Sequence, residues 1–299
     1  MTTRRPIVAG VDGSESSLQA VSWAAREAAL RNAPLTLVTT MFVPGAHGMP
    51  VGVPASFFEE EELECKARLV RAEEVATRAV PGHTLEIDTA FCMGAPSGEL
   101  VERSKSALMV VVGANRHGII DRTVLGSVSA AVVTHAHAPV AVVRDLPHTE
   151  INDVAGPVVV GVDGSADSEP AISVAFEEAA LRQVELVAVH AWSDVELHAP
   201  FPSDVDWTQV ESREGAILSE SLAGRAEDFP DVQVRPVVVM DQPVRNLREQ
   251  AERAQLLVVG SRGRGGFASL LLGSTSRALL HTVTCPLLIV RSVLPSSAT

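Results

Sequence analysis

Between Val258 and Ser276 the chain reads VVGSRGRGGFASLLLGSTS. Four glycines and two arginines occupy the seven residues Gly260–Gly266, and a Gly-Ser pair follows at Gly273 and Ser274. Gly260, at the end of an apolar strand, allows a tight turn or a close backbone approach. Gly263, Gly265 and Gly266 permit positive φ, so that successive N–H groups can face one concavity and form an anion nest. Arg262 and Arg264 supply charge, with Ser261 between strand and loop. A helix starting at Ser274 presents its first-turn N–H groups and positive dipole end, and the Ser274 and Ser276 hydroxyls add donors. A phosphate chain is the natural guest of such a set. A lone Gly-rich loop reads equally well as a surface loop ending in a Ser cap. Here the strand–loop–helix context, and an Asp163 loop expected opposite, favour binding.

The spacing Gly260-x2-Gly263-x9-Gly273-Ser274 recurs, altered, in the first half as Gly113, Ala114, Asn115, Arg116, His117, Gly118 and then Gly126, Ser127, Val128, Ser129. The segment PIVAGVDGSESSLQAVSWAAREAALR from Pro6 also aligns without a gap on PVVVGVDGSADSEPAISVAFEEAALR from Pro157. Two domain-sized copies are a duplication, since a solenoid needs shorter and more numerous units. With 299 residues, two domains of about 150 are the natural division. The expected boundaries are 1–147 and 157–299, joined by a polar, proline-bracketed linker at 148–156.

Each copy alternates short apolar runs with helical periodicity. The first reads as a strand IVAGV, a helix capped by Ser14 or Ser16, a strand LTLVTT, a Pro/Gly-rich loop and a long amphipathic helix. A strand LEIDTAFC, a helix opening on Pro96, a strand LMVVVG, a helix GSVSAAVVTHA and a last strand PVAVV follow. The second copy repeats the order. Strict β/α alternation with strands apolar on both faces predicts an α/β fold of two Rossmann-like domains, each a five-stranded parallel sheet flanked by helices. The apolar last strands are expected at sheet edges, where pairing with each other makes an intrachain pseudo-dimer. Association of whole chains stays open.

The net charge of −13 argues against nucleic acid or an anionic membrane as partner, so any anion site is local. Cys65, Cys92 and Cys285 are widely spaced without a CxxC pair and read as free thiols in a reducing compartment. The opening MTTRRP is too short and polar for a signal peptide, and no apolar run reaches membrane-spanning length. The expected location is the cytoplasm.

The Gly-rich element lacks the GxxxxGK[ST] of a Walker loop, and it follows the fourth strand of its copy, where a dinucleotide GxGxxG would follow the first. It resembles the ATP-binding signature of the universal stress protein family, in its tandem form, and the resemblance covers nearly the whole chain. It implies an ATP-binding regulatory or sensor protein of the stress response. It further implies that Gly161 and Asp163 lie by the nucleotide and that backbone at Val189, His190 and Ala191 meets the adenine. Gly260–Gly266 then face ribose and phosphates, with Gly273, Ser274, Thr275 and Ser276 at the helix start. Mg²⁺ is expected to accompany the phosphates, bridging their oxygens. In the first copy the matching places are Gly10, Asp12, Gly113–Gly118 and Gly126–Ser129.

The first copy departs where Gly263 becomes Arg116, and Arg262 and Arg264 become Asn115 and His117. If the position needs positive φ, Arg116 costs about 1–2 kcal/mol or reshapes the loop. Its side chain either fills the phosphate cavity or replaces the lost arginines as a phosphate contact. On this reading domain 2 is the more competent site.

His135 and His137 form an HxH, but lie on different sides of a helix end, and a surface role is the better reading. The acidic run Phe58–Glu64 suits a helix start. No Ser-His-Asp order, GxSxG elbow or carboxylate pair points to hydrolysis, so binding is preferred to catalysis. A slow ATPase or a phosphoryl- or adenylyl-transferase using Asp163, and a nucleotide-free scaffold, are the rivals. The loops Phe42–Phe57 and Trp192–Trp207 differ between copies and are the expected surfaces for a protein partner of unknown identity.

Overall fold

The computed structural model describes residues 4–41, 55–114, 125–144, 156–192, 207–264 and 271–291. The expected linker and partner loops, and Asn115, Arg116, His117, Gly118, Gly265 and Gly266, fall wholly or almost wholly outside them. The chain divides into two compact units, Met1–Asp145 and Leu146–Thr299, here domains 1 and 2.

Domain 1 runs β1 (Ile7–Gly10), α1 (Glu15–Leu30), β2 (Leu35–Met41), α2 (Ala55–Ala79), β3 (Ile87–Met93), α3 (Pro96–Ser104), β4 (Met109–Gly113), α4 (Ser127–His135) and β5 (Val140–Val143). Domain 2 runs β6 (Val158–Val162), α5 (Glu169–Arg182), β7 (Leu186–Trp192), α6 (Trp207–Asp228), β8 (Val234–Met240), α7 (Pro243–Ala251), β9 (Leu256–Gly260), α8 (Ser274–Thr282) and β10 (Leu287–Val290). The strand order is β3-β2-β1-β4-β5 in domain 1 and β8-β7-β6-β9-β10 in domain 2. Every pairing within each domain is parallel.

The Val- and Leu-rich central strands are buried on both faces, as parallel strands roofed by helices must be. The outermost strands β3 and β8 are half exposed and carry Met93 and Met240 into solvent. Ser14 caps α1, its hydroxyl accepting from the Ser17 amide. Pro96 and Pro243 open α3 and α7, where their missing N–H costs nothing.

The two copies part at one place in the backbone that the alignment does not reveal. Domain 2 inserts a 3₁₀ turn at Ala166–Ser168 before α5. Pro170 stands where α1 has Gln19, and it has no amide to bond the carbonyl four residues earlier, so the first turn tightens.

Beneath both sheets lies a matched ion pair. Glu27 and Arg31 in α1 correspond to Glu178 and Arg182 in α5, and the domain 2 pair is the more deeply buried.

Candidate functional site

In each domain the strand order reverses between the first and fourth strands, and the crevice beyond their carboxyl ends is where α/β sheets bind ligands. In domain 1 that crevice is a cavity of about 310 Å³. Its wall includes Gly10, Val11 and Asp12 after β1, Val38, Thr39 and Thr40 from β2, and Val112 and Gly113 from β4. Arg68 of α2, Leu100 of α3 and the first turn of α4, from Gly126 to Ser129, complete it.

The two Asp loops are built identically. Asp12 Oδ1 accepts from the Ser14 amide at 2.9 Å and from its hydroxyl at 2.6 Å. Asp163 Oδ1 does the same with Ser165, at the same distances. The turn needs positive φ at the following glycine, 83° at Gly13 and 72° at Gly164. One oxygen of each carboxylate is thereby fixed, and Asp12 lines the domain 1 crevice.

The helix that closes each crevice is also shared. Gly126 and Gly273 are N-caps without a side-chain acceptor, so no cap side chain takes up the first-turn amides. Ser127 and Ser274 are exposed at these helix starts, with Val128 and Thr275 next in the turn. Gly126 donates its amide to the Ala114 carbonyl, and Gly273 to that of Ser261. The expected role of the third residue is corrected. Ser129 and Ser276 are buried, and their hydroxyls donate to the carbonyls of Gly113 and Gly260, both at 2.7 Å. They tie helix to strand and are spent as donors.

The reason for Gly263 is corrected too. Its φ is not in the left-handed region. A Cβ there would clash with Asp163 Oδ2, so the glycine serves close approach of the loop to the carboxylate. The next amide, of Arg264, donates to that same oxygen at 2.8 Å. Domain 2 thus has its loop drawn down on the Asp turn. Two buried polar atoms beside it, Ser261 Oγ and Arg262 Nε, have no hydrogen-bond partner among the described residues. Burial, and then the like charge of Arg262, lower the Arg291 guanidinium from its ordinary pKa.

At the end of the second strand the domains differ in chemistry. His190 is fully buried, its Nδ1 2.9 Å from the Val162 carbonyl and its Nε2 2.8 Å from Glu214 Oε2. Both ring nitrogens are engaged, so the His190 side chain is taken up within the fold. The strand register places Thr39 where domain 2 has His190, and Thr39 is hydrogen-bonded to the Cys65 thiol. Gly10 and Gly161 face leucines, a Cβ there lying 3.0 Å from Leu100 and 3.2 Å from Leu247, which explains them by packing. His135 and His137 are exposed, and among the described residues no group of three His, Cys, Asp or Glu is placed to hold a metal.

Sequence reading missed Val38, Thr39 and Thr40, although aligning Val189–Ala191 on the first copy finds them. It also missed Arg68, which sits in a helix without a motif.

A sequence profile of the Universal stress protein family matches residues 3–144 and again 155–291. A universal stress protein of Mycobacterium tuberculosis is 42% identical over 286 residues, 95% of this chain and 96% of that protein. A second from the same organism is 39% identical over 296 residues, 96% of this chain and 97% of its own length. Among solved structures, a universal stress protein from Archaeoglobus fulgidus superposes with a TM-score of 0.69 at 18% identity, covering 97% of this chain and 99% of that one. That likeness extends the agreement to the fold.

Proposed function

The chain belongs to the universal stress protein family in its two-domain form, and from that premise we propose that it is an adenine-nucleotide-binding regulatory protein with one site per domain. The observation that carries this reading is the domain 1 cavity. It combines a volume at the lower end of the usual ligand range, roughly 300–1,000 Å³, with a fixed carboxylate, a helix N-terminus and a guanidinium. ATP suits that set: an apolar floor at Val38 and Val112 for the base, and donors of α4 and Arg68 for phosphates. Ser261 Oγ and Arg262 Nε, without a partner among the described residues, support a polar ligand in domain 2 as well. Mg²⁺ fits as a partner of the phosphates, because Asp12 is the only carboxylate among the described residues of the wall.

Binding without designed turnover is the preferred role. The described wall has no histidine or cysteine, and its one hydroxyl–carboxylate contact, Ser14 to Asp12, is used to hold the turn. The glycine spacing alone ranks domain 2 first. The cavity and Arg68 weigh for domain 1, and we take domain 2 to bind once the Arg264 amide is released from Asp163. A protein partner then reads the nucleotide state, in the cytoplasm. Among the described residues no helix is long and apolar enough to cross a membrane.

The test is nucleotide per chain. The purified protein is denatured, the released nucleotide identified, and the stripped protein titrated with ATP. Two equivalents are expected, with a rise in melting temperature that grows with ATP concentration. No released nucleotide and an unmoved melting temperature at saturating ATP would overturn the reading.

A further inference from the structure

In each domain an arginine lies over the glycine of the Asp turn, and the two domains supply it from different elements. In domain 2 a Cβ on Gly164 would lie 2.6 Å from an Arg264 Nη2, which comes from the Gly-rich loop. In domain 1 a Cβ on Gly13 would meet Arg68 of α2, at 3.3 Å from Cγ and Cδ and 3.5 Å from Nε. The helix position of Arg68 is taken in domain 2 by Ile217, whose Cγ2 lies 2.9 Å from the same Gly164 point. The next residues, Leu69 and Leu218, are buried alike, which fixes the equivalence. Where the loop brings an arginine the helix brings an isoleucine, and where the loop sequence has His117 the helix brings the arginine.

We propose that Arg68 is a phosphate-contacting cation of domain 1, and that this cavity accordingly selects a phosphorylated adenine nucleotide over the bare nucleoside. The proposal rests on the nucleotide reading above and adds which residue carries the charge and what it discriminates. Arg68 lines the cavity beside Asp12 and the α4 amides, and its side chain is 25% exposed. Glu64 pairs with it at 2.6 Å and Glu61 at 3.5 Å. The Glu64 side chain is 60% exposed, and a pair to so solvated a carboxylate holds weakly. A phosphate arriving from the cavity side, with two oxygens for the guanidinium fork, is the stronger partner.

Hydrogen exchange on the full chain, followed peptide by peptide, reads each domain separately. Wild-type protein and the Arg68→Ile and Arg68→Lys variants are titrated with ATP and with adenosine. The peptides that end β2 and begin α4 report domain 1. Ile is chosen because domain 2 carries it at the same place. The ATP midpoint in domain 1 is expected to rise about ten- to a hundred-fold in Arg68→Ile, the usual cost of one hydrogen bond to a charged group. The adenosine midpoint stays put, and Lys restores part of the loss. Equal weakening of both ligands would make Arg68 a wall and overturn the proposal, as would an unmoved ATP midpoint. Wild-type protection confined to domain 2 would overturn it while the nucleotide reading stands. No protection in either domain would end both.

Discussion

The crevices of domains 1 and 2 are copies of one design in different states. Both have an Asp held by a Ser two residues on, both a glycine-capped helix, and both a seryl hydroxyl tying helix to strand. In domain 1 no described residue is bonded to the second Asp12 carboxylate oxygen, and the arginine over the turn comes from a helix. In domain 2 the loop is bonded to the carboxylate and its arginine lies across the turn. Duplication has kept the backbone scaffold, which sets where a ligand sits, and has let the source of charge move. Position is the constrained quantity, and the element that fills it is free to change.

The comparison extends below the sites, and the largest difference is expected there. Arg182→Ala removes a charged partner from the fully buried Glu178 carboxylate and is expected to cost about 3–5 kcal/mol. Arg31→Ala acts on a pair whose arginine is more exposed, 16% against 7%, and costs less. Equal losses in urea unfolding would break the distinction. Next comes Gly113→Ala, whose Cβ would sit 2.8 Å from the Ser16 backbone. About 1–3 kcal/mol of overpacking is expected. Gly260→Ala, with its nearest contact at 3.0 Å, loses less in the same assay.

A third difference is one of pH. Burial pushes the Cys285 thiol from 9.0 up to about 12. Above pH 9 the unfolded chain gives up this proton while the native chain keeps it, so stability is full below pH 9 and falls from there towards 12. The slope is about 1.4 kcal/mol per pH unit from this group. Domain 1 has the buried Ala138 at the matching place. Cys285→Ala is expected to flatten the alkaline loss in denaturant titrations at pH 8 to 10, and an unchanged slope would refute the assignment. The smallest effect is at Gly263→Ala. Its methyl meets Asp163 Oδ2, so the Arg264 amide is expected to exchange several-fold faster, for about 1 kcal/mol of lost bonding. Unaltered exchange would mean that the loop is held elsewhere.

The fold was legible because its signal is local and doubled. Valine runs such as VVV and LLVV specify buried strands, proline and serine punctuate the helices, and each copy supports the other. The glycine spacing located the crevice for the same reason. What escaped depends on contacts made across the fold. The need for Gly263 comes from a carboxylate 100 positions earlier in the chain, which no φ argument contains. The Ser129 and Ser276 hydroxyls looked like ligand donors until the strand carbonyls beneath them were in view. Arg68 carries no motif, and its meaning emerges when it is set against Ile217 in three dimensions. Pro170 was plain in the sequence, yet its effect on the preceding turn needed the carbonyl it fails to reach.

The bond from the Arg264 amide to Asp163 has a consequence in time. A site that must first release its own loop is competent for only a fraction of the time, and its apparent affinity is multiplied by that fraction. On the proposed nucleotide reading, domain 2 would respond at the pace of loop opening, and domain 1, where no described residue is bonded to Asp12 Oδ2, would respond sooner. One chain would hold a prompt and a delayed reading of the same ligand, and its output would depend on how long a nucleotide pulse lasts as well as on its height.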